Sequence, residues 1–440
     1  MRPALSAIVC SAPRPEATCA TVSDVLACSL SPDEVIVTDT NSQGPLLRKE
    51  FPGLTALELG SDIGAAAALN AGFRLARGEL VLAVRSPIRV EKRCPALLAE
   101  AMRAEEGCAA AQPKILMEQD SDFIYSLGMR ISRSGEWADL GFCAPEKEAS
   151  GSADALLPSE AACMYSREAI RDLGLFDEGY FRHGHTVDFG IRALRRGRKT
   201  RLAHEAVCWK PFERDGEDYL IHRNRLRLLL KLAPARIMWA ELFRAASRDL
   251  FGNAGMPRSV PLRAWLWNLA QARAYARDRK ASKGQVRARW PALAEVGEAD
   301  WPVPDYDPHD SLGGRKLRAE VRFDGSGDEQ LGFGWHPRQM RDGMPVRRAA
   351  RMASLFLPAA GPLLAKLCEV QIRCLATAEM PLAVKLNGAT ELEVSHQKGW
   401  QDINVAVRDF SQVQKVTLST TVGGALFVAW ARTESPVRLE

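Results

Sequence analysis

Between Phe176 and Asp188 the chain reads Phe-Asp-Glu-Gly-Tyr-Phe-Arg-His-Gly-His-Thr-Val-Asp, with three carboxylates and two imidazoles in thirteen residues. Imidazole titrates near neutral pH, so His185 is a candidate general base and His183 stands two residues away. Two histidines around a glycine also read as a metal pair, although two ligands rarely suffice. Phe176, Tyr180 and Phe181 read equally well as packing aromatics under a surface turn. The flanking residues must hold this loop. Ala161 to Tyr165 is an apolar strand-like run, passing into a short helix that opens at Ser166, carries Arg167 and Glu168 in its first turn and stops at Gly174. A second helix is predicted over Val187 to Arg196, ending at Gly197. Titratable loops fixed between helices are common seats of chemistry.

A second group of candidates lies nearer the N-terminus. Leu5 to Cys10 and Glu34 to Thr38 read as buried strands, with a helix over Glu16 to Leu30 showing Val22, Val25, Leu26 and Leu30 on one face. Strand, helix, strand is a Rossmann-like opening, in which ligands bind beyond the carboxyl ends of the strands. That places residues 10–14 and 39–44 at the mouth. Asp39 is positioned to accept hydrogen bonds from a base or ribose, and equally to form the turn Asp-Thr-Asn-Ser-Gln-Gly. A third strand from Leu57 leads through Asp62 and Gly64 into an alanine-rich helix bearing Asn70 and Gly72, whose small residues suit close approach to a backbone or a phosphate. A strand over Leu80 to Val84 ends at Arg85, with Arg89 four residues on, and Leu202 to Lys210 reads as the closing strand.

Taken together, Arg167, Glu168, Gly174, Phe176, Asp177, Glu178, Phe181, Asp188 and Arg192 fall in register with the acceptor-site segment of family 2 glycosyltransferases. The chain resembles that family, in its bacterial rhamnosyltransferase-like form, over about residues 4 to 235. Asp39, Gly64, Asn70, Gly72, Ala76, Gly78 and Glu79 match its donor half, with Asp62 where Asn is usual. Arg223, Asn224 and Lys231 match the helix that follows. The resemblance implies a Rossmann-like GT-A domain, inverting transfer from a nucleotide-sugar donor, and a glycan or lipid-linked acceptor in bacterial surface polysaccharide synthesis. By residue it implies nucleotide contacts at Asp39, Asp62, Gly64 and Asn70 and acceptor contacts at Asp177, Glu178 and Arg223, with Asp188 in the catalytic loop. The residue types themselves add Arg85 and Arg89 as cations for the nucleotide, His183 at the acceptor and His185 as the base. The resemblance also implies a divalent Mg or Mn ion.

Three departures bear on that chemistry. Pro87 stands about where the metal-binding Asp belongs, and Glu91 is a poor substitute. His185-Thr186 replaces the Glu-Asp pair, and Trp209-Lys210 replaces a histidine. No metal ligands are therefore assigned. Either Arg85 and Arg89 neutralise the diphosphate directly, or the scaffold is catalytically silent and binds a nucleotide, a glycan or a partner transferase.

The 440 residues carry a net charge of +5 and ten cysteines with no paired spacing. No basic stripe with interleaved aromatics appears, so no nucleic-acid partner is expected. Reduced thiols and the lack of an apolar span suggest a cytoplasmic protein, at most peripheral at the inner face of a membrane. Residues 236–290 read as helices with Trp239, Leu242, Phe243, Leu250, Leu262, Trp265, Leu266 and Leu269 at helical spacing among basic residues. That pattern fits a packed helical pair with a solvated basic face or a surface for anionic lipid. A proline-rich linker follows over residues 291–318. From Ala319 to the end, seven short alternating runs, with turn signals between several of them, predict a β-sandwich. Its Trp335 and Trp400 read as core residues or as sugar-stacking faces.

Overall fold

A computed structural model describes residues 4–132, 134–148, 157–212, 218–251, 257, 259–281, 318–324, 328–358, 369–387, 389–406, 414–420 and 425–434. The chain divides into two compact units. One comprises Met1–Leu116, Tyr125–Gly141 and Ser150–Val296, the other Met117–Ile124, Phe142–Ala149 and Gly297–Glu440. The predicted linker lies outside the described residues apart from Arg318.

The first unit opens with β1 (Leu5–Cys10), α1 (Pro15–Leu26), β2 (Glu34–Asp39), α2 (Gly44–Glu50), β3 (Thr55–Glu58), α3 (Ala65–Leu75) and β4 (Leu80–Arg85). All six residues of β1 are buried, as an apolar run covered on both faces requires. β1 lies parallel to β2 and to β4, and β2 parallel to β3. Helix α3 can lie on β1 because Gly72 has no Cβ, which would stand 2.7 Å from the Ile8 side chain. Helix α1 ends at Leu26, four residues short of the predicted stop, and the Ser29 hydroxyl bonds Lys92 instead of a helical carbonyl.

The sheet continues through β5 (Arg89–Val90), α4 (Cys94–Arg103), β6 (Cys108–Met117), β7 (Ile124–Ser126), β8 (Met129–Ile131), β9 (Trp137–Asp139), β10 (Ala162–Ser166), α5 (Arg167–Leu173), α6 (His185–Arg195) and β11 (Lys199–Lys210). Its order is β3-β2-β1-β4-β10-β6-β11-β5, with β7 on β6 and β8-β9 a separate hairpin. Strand order reverses between β1 and β4, and in open sheets of this kind the crevice beyond their carboxyl ends is the ligand site. Cys10 and Arg85 are partners at that edge. Helices α7 (Asp218–Leu232), α8 (Ala235–Phe251), α9 (Ser259–Ala270) and α10 (Ala272–Ala281) complete the unit, with Leu226 and Leu229 of α7 packed on Met238, Leu242 and Ala264.

The second unit is all-β, as expected from the alternating runs. Its strands are β12 (Glu320–Arg322), β13 (Gln339–Arg341), β14 (Met344–Ala349), β15 (Met352–Leu357), β16 (Glu369–Ala376), β17 (Met380–Leu386), β18 (Ala389–His396), β19 (Gly399–Ala406), β20 (Gln414–Thr420) and β21 (Leu426–Glu434). One antiparallel sheet runs β13-β14-β21-β16-β19 with β12 on β21, the other β15-β20-β17-β18. Their inner faces share one core, and β16 alternates buried and half-buried along its length. Trp335 is a core residue whose indole donates to the Ser354 carbonyl, whereas Trp400 is half-buried and donates to Asp342. Residues 117–124, counted with this unit, contribute buried Asp120, which pairs with Lys415 and accepts from Ser354.

Candidate functional site

The loop from Phe176 to Gly184 is held by two helices, α3 and α7. Asn70 of α3 donates to the Phe176 carbonyl, accepts from its N–H, and donates to Glu178. Glu178 also pairs with Arg74. From α7, Arg223 donates to the carbonyls of Gly179 and Tyr180, and the Asn224 amide donates to those of Tyr180, Arg182 and His183 at 2.5–2.9 Å. So anchored, the backbone tolerates left-handed conformations at Phe181, His183 and Gly184, with φ of 64°, 58° and 88°. Gly64 meets this loop. Its φ is 86°, and a Cβ there would stand 2.5 Å from the Phe181 ring.

Beneath the loop lies a closed network of charge. Asp188 is fully buried and accepts from Arg192 and Lys231, each at 2.7 Å, and from the Tyr180 hydroxyl at 3.3 Å. Asp177 accepts from Lys231, from Arg227 and from the Gly179 N–H. Burial alone would raise both carboxyls. Lys231, with Arg192 at Asp188 and Arg227 at Asp177, outweighs it and holds both below the usual carboxylate range. Every member has partners, which is the signature of architecture.

Above it, Glu160 reaches in from the lead-in to β10. One of its oxygens accepts the Gly184 N–H at 2.5 Å and lies 3.6 Å from His185 Nδ1. The other lies 3.7 Å from His183 Nδ1 and 4.0 Å from Arg85. Burial pushes Glu160 up, but the two histidines, Arg85 and the Gly184 N–H hold its carboxyl below the ordinary range. For His185 burial prevails over Glu160, so its proton affinity is reduced. His185 is 1% exposed, and neither of its ring nitrogens has a hydrogen-bond partner among the described residues.

Two clefts open onto this group. The first, about 250 Å³, lies at the strand-order reversal between the carboxyl ends of β1 and β4 and the start of α3, with Ser11, Thr40, Asn41, Asp62, Gly64 and Arg85 on its walls. The second, about 220 Å³, is bounded by Tyr125, Trp137, Asp139, Lys210, His183 and Glu160. Arg85 lines both. Lys210, standing where the resemblance implies a histidine, is buried with its ammonium 5.3 Å from the Tyr125 ring centre.

The predicted residues therefore sort by position. Asp62, Gly64 and Arg85 line the first cleft, and His183 the second. Asp39 accepts the N–H groups of Asn41 and Gly44, the turn-forming arrangement. Asn70, Asp177, Glu178, Asp188 and Arg223 hold the loop rather than line either cleft. Arg89 donates through two nitrogens to Asp24, at 2.5 and 3.0 Å, and is not among the cleft-lining residues. Glu160, Trp137 and Tyr125 are cleft residues that motif spacing did not single out, whereas Lys210 was marked only as the replacement of a histidine.

The implied divalent ion does not fit the end of β4. The groups there are the Arg85 guanidinium, the Ser86 hydroxyl and the Pro87 ring, not the carboxylate oxygens a hard cation takes. Glu91 uses its carboxylate on the Arg93 N–H. Among the described residues no group of three or more His, Cys, Asp or Glu could hold a metal.

No family model matches the sequence, and no curated protein matches it. Among solved structures, a mannosyltransferase of Pyrobaculum calidifontis in complex with GDP-Man and Mn2+ is similar at 19% identity and a TM-score of 0.37, covering 65% of this chain and 84% of that one. S. aureus TarS is similar at 16% identity and the same TM-score of 0.37, covering 65% of this chain and 93% of that one.

Proposed function

We propose that the first unit is a glycosyltransferase domain that takes a nucleotide-sugar donor in the cleft at β1 and β4 and a sugar acceptor in the cleft at Trp137. One observation carries this reading: the two clefts share Arg85, and Glu160 lies against it with His183 and His185. Thr40, Asn41 and Asp62 offer donors and acceptors to a base and ribose. Arg85 supplies positive charge to a diphosphate that leaves without a metal at Pro87. Trp137 and Tyr125 offer flat faces to a sugar ring.

In the step itself, Glu160, paired with His185, accepts the proton of an acceptor hydroxyl. That oxygen forms the new bond to the anomeric carbon, the bond from that carbon to the diphosphate oxygen breaks, and the diphosphate departs with the electron pair against Arg85. Attack from the face opposite the leaving group inverts the anomeric centre. Asp188, Asp177, Arg223 and Asn224 act by positioning. The family resemblance directs the acceptor class toward a glycan or lipid-linked sugar of bacterial surface polysaccharide, made on the cytoplasmic side.

The second reading, a silent scaffold that binds a nucleotide, a glycan or a partner enzyme, is favoured by the missing carboxylate at Pro87. Calorimetric titration with UDP, GDP and dTDP, each with Mn²⁺ and with chelator, separates the two when coupled to an assay for nucleoside diphosphate release from the corresponding sugars. Metal-independent binding with release supports transfer. Binding without release supports the scaffold. Absence of any nucleotide binding overturns the transferase reading.

A further inference from the structure

We propose that the outer faces of α8 and α9 form a docking surface for an anionic lipid bilayer, a role that stands whatever chemistry the clefts perform. Helix α8 turns Met238, Leu242 and Ala245 onto α7, which leaves Trp239 and Phe243, one turn apart, 67% and 75% exposed. Helix α9 buries Pro261, Ala264 and Asn268 and leaves Leu262, Leu266 and Leu269 on its other faces, each 58% exposed or more. Of the eleven large apolar side chains exposed among the described residues, these five and Met340 are the only ones above 44%. Apolar area of this kind, gathered on two helices, calls for a covering phase.

The charge carried by α8, α9 and α10 selects the phase. Residues 235–281 carry nine Lys and Arg against three Asp and Glu, a net of +6, while the whole chain is only +5. Of the three acids, Glu241 pairs with Arg244, and Asp249 is held by His222 and the Trp265 indole. Arg236, Arg273, Arg277 and Lys280 stand exposed. A second copy of this face would bring like charges together, whereas an anionic bilayer answers both the apolar stripe and the cations. No described helix is long and apolar enough to cross a membrane, so the contact is one of helices lying in the interface, with Trp239 at headgroup level.

The full chain is to be floated with vesicles of phosphatidylcholine alone and of equal parts phosphatidylcholine and phosphatidylglycerol. The expected result is binding to the mixed vesicles that weakens with salt, falls about tenfold in a Trp239→Ser and Phe243→Ser double variant or a Leu262→Ser and Leu266→Ser double variant, and falls about fivefold for each of Arg273 and Arg277 replaced by Gln. Circular dichroism checks that these exposed substitutions leave the fold intact. Quenching by brominated lipid, taken as the difference between wild type and Trp239→Phe, reads insertion directly and should be present. Absence of binding to the mixed vesicles, binding unchanged in both apolar variants, or a dimer that these variants convert to monomer would overturn the proposal, the last by showing that a second copy covers the face.

Discussion

Two clusters of buried charge meet helix α6, and they are answered to different degrees. The Asp188 cluster is complete: two cations, a phenol and a second carboxylate satisfy one another at hydrogen-bond distance. The Glu160 cluster differs at His185, the member without a hydrogen-bond partner among the described residues. The Glu160 carboxylate has one short bond to a backbone N–H and three basic groups at 3.6–4.0 Å, His185 among them. Low dielectric makes a satisfied network rigid and an unsatisfied one costly. The first is therefore built to hold the loop, and in the proposed reading the second is where a ligand's hydroxyl meets Glu160.

Substitution should separate the two along different axes. Asp188→Ala strands Lys231 and Arg192 in the interior and is expected to destabilise the first unit by about 3–5 kcal/mol, read by denaturant unfolding. Glu160→Gln keeps the shape and an acceptor for the Gly184 N–H, so stability should stay within about 1 kcal/mol of wild type, while nucleoside diphosphate release falls by about 10²-fold or more. An Asp188 variant that unfolds no more easily than the Glu160 variant would erase the contrast.

Acid titration sharpens it. His185 has a depressed proton affinity in the fold, so below about pH 6.5 the unfolded chain takes up a proton that the folded one refuses, and stability declines with falling pH. Asp177 and Asp188 are held below the ordinary carboxyl value of 3.8, and their contribution, complete above that value, is lost as pH drops further. Thermal unfolding against pH should show a shallow limb that His185→Gln removes and a steeper acid limb that it leaves. The smallest effect is expected at Arg89. With its guanidinium on Asp24, Arg89→Ala should change nucleotide affinity less than twofold, against a loss of about tenfold or more for Arg85→Ala in the same titration. Equal losses would return Arg89 to the donor cleft.

Much of the fold was readable before the structure. β1 matches its apolar run residue for residue, and Ser166 caps α5 by accepting the Ala169 N–H. Helix α6 begins two residues before its predicted start, because Gly184 in a left-handed conformation supplies the cap that residue types alone did not announce. The association of residues 117–124 and 142–149 with the second unit had no periodic signal to reveal it. Glu160 was hidden for a related reason. It sits in Leu-Pro-Ser-Glu-Ala-Ala, a lead-in to a strand, and meets Gly184 only across 24 residues of chain. Local pattern shows which face of an element is apolar, not which distant loop its last polar residue will touch.

Asn224 also sets the limits of substitution at the site's foundation. Its amide nitrogen faces three carbonyl oxygens, those of Tyr180, Arg182 and His183. Aspartate has nearly the same size and outline, yet it has no hydrogens to give and would turn a negative oxygen toward three others. The exchange that looks mildest on paper would act as a wedge, prising the loop off its helix, whereas a smaller neutral side chain would leave only a vacancy for water.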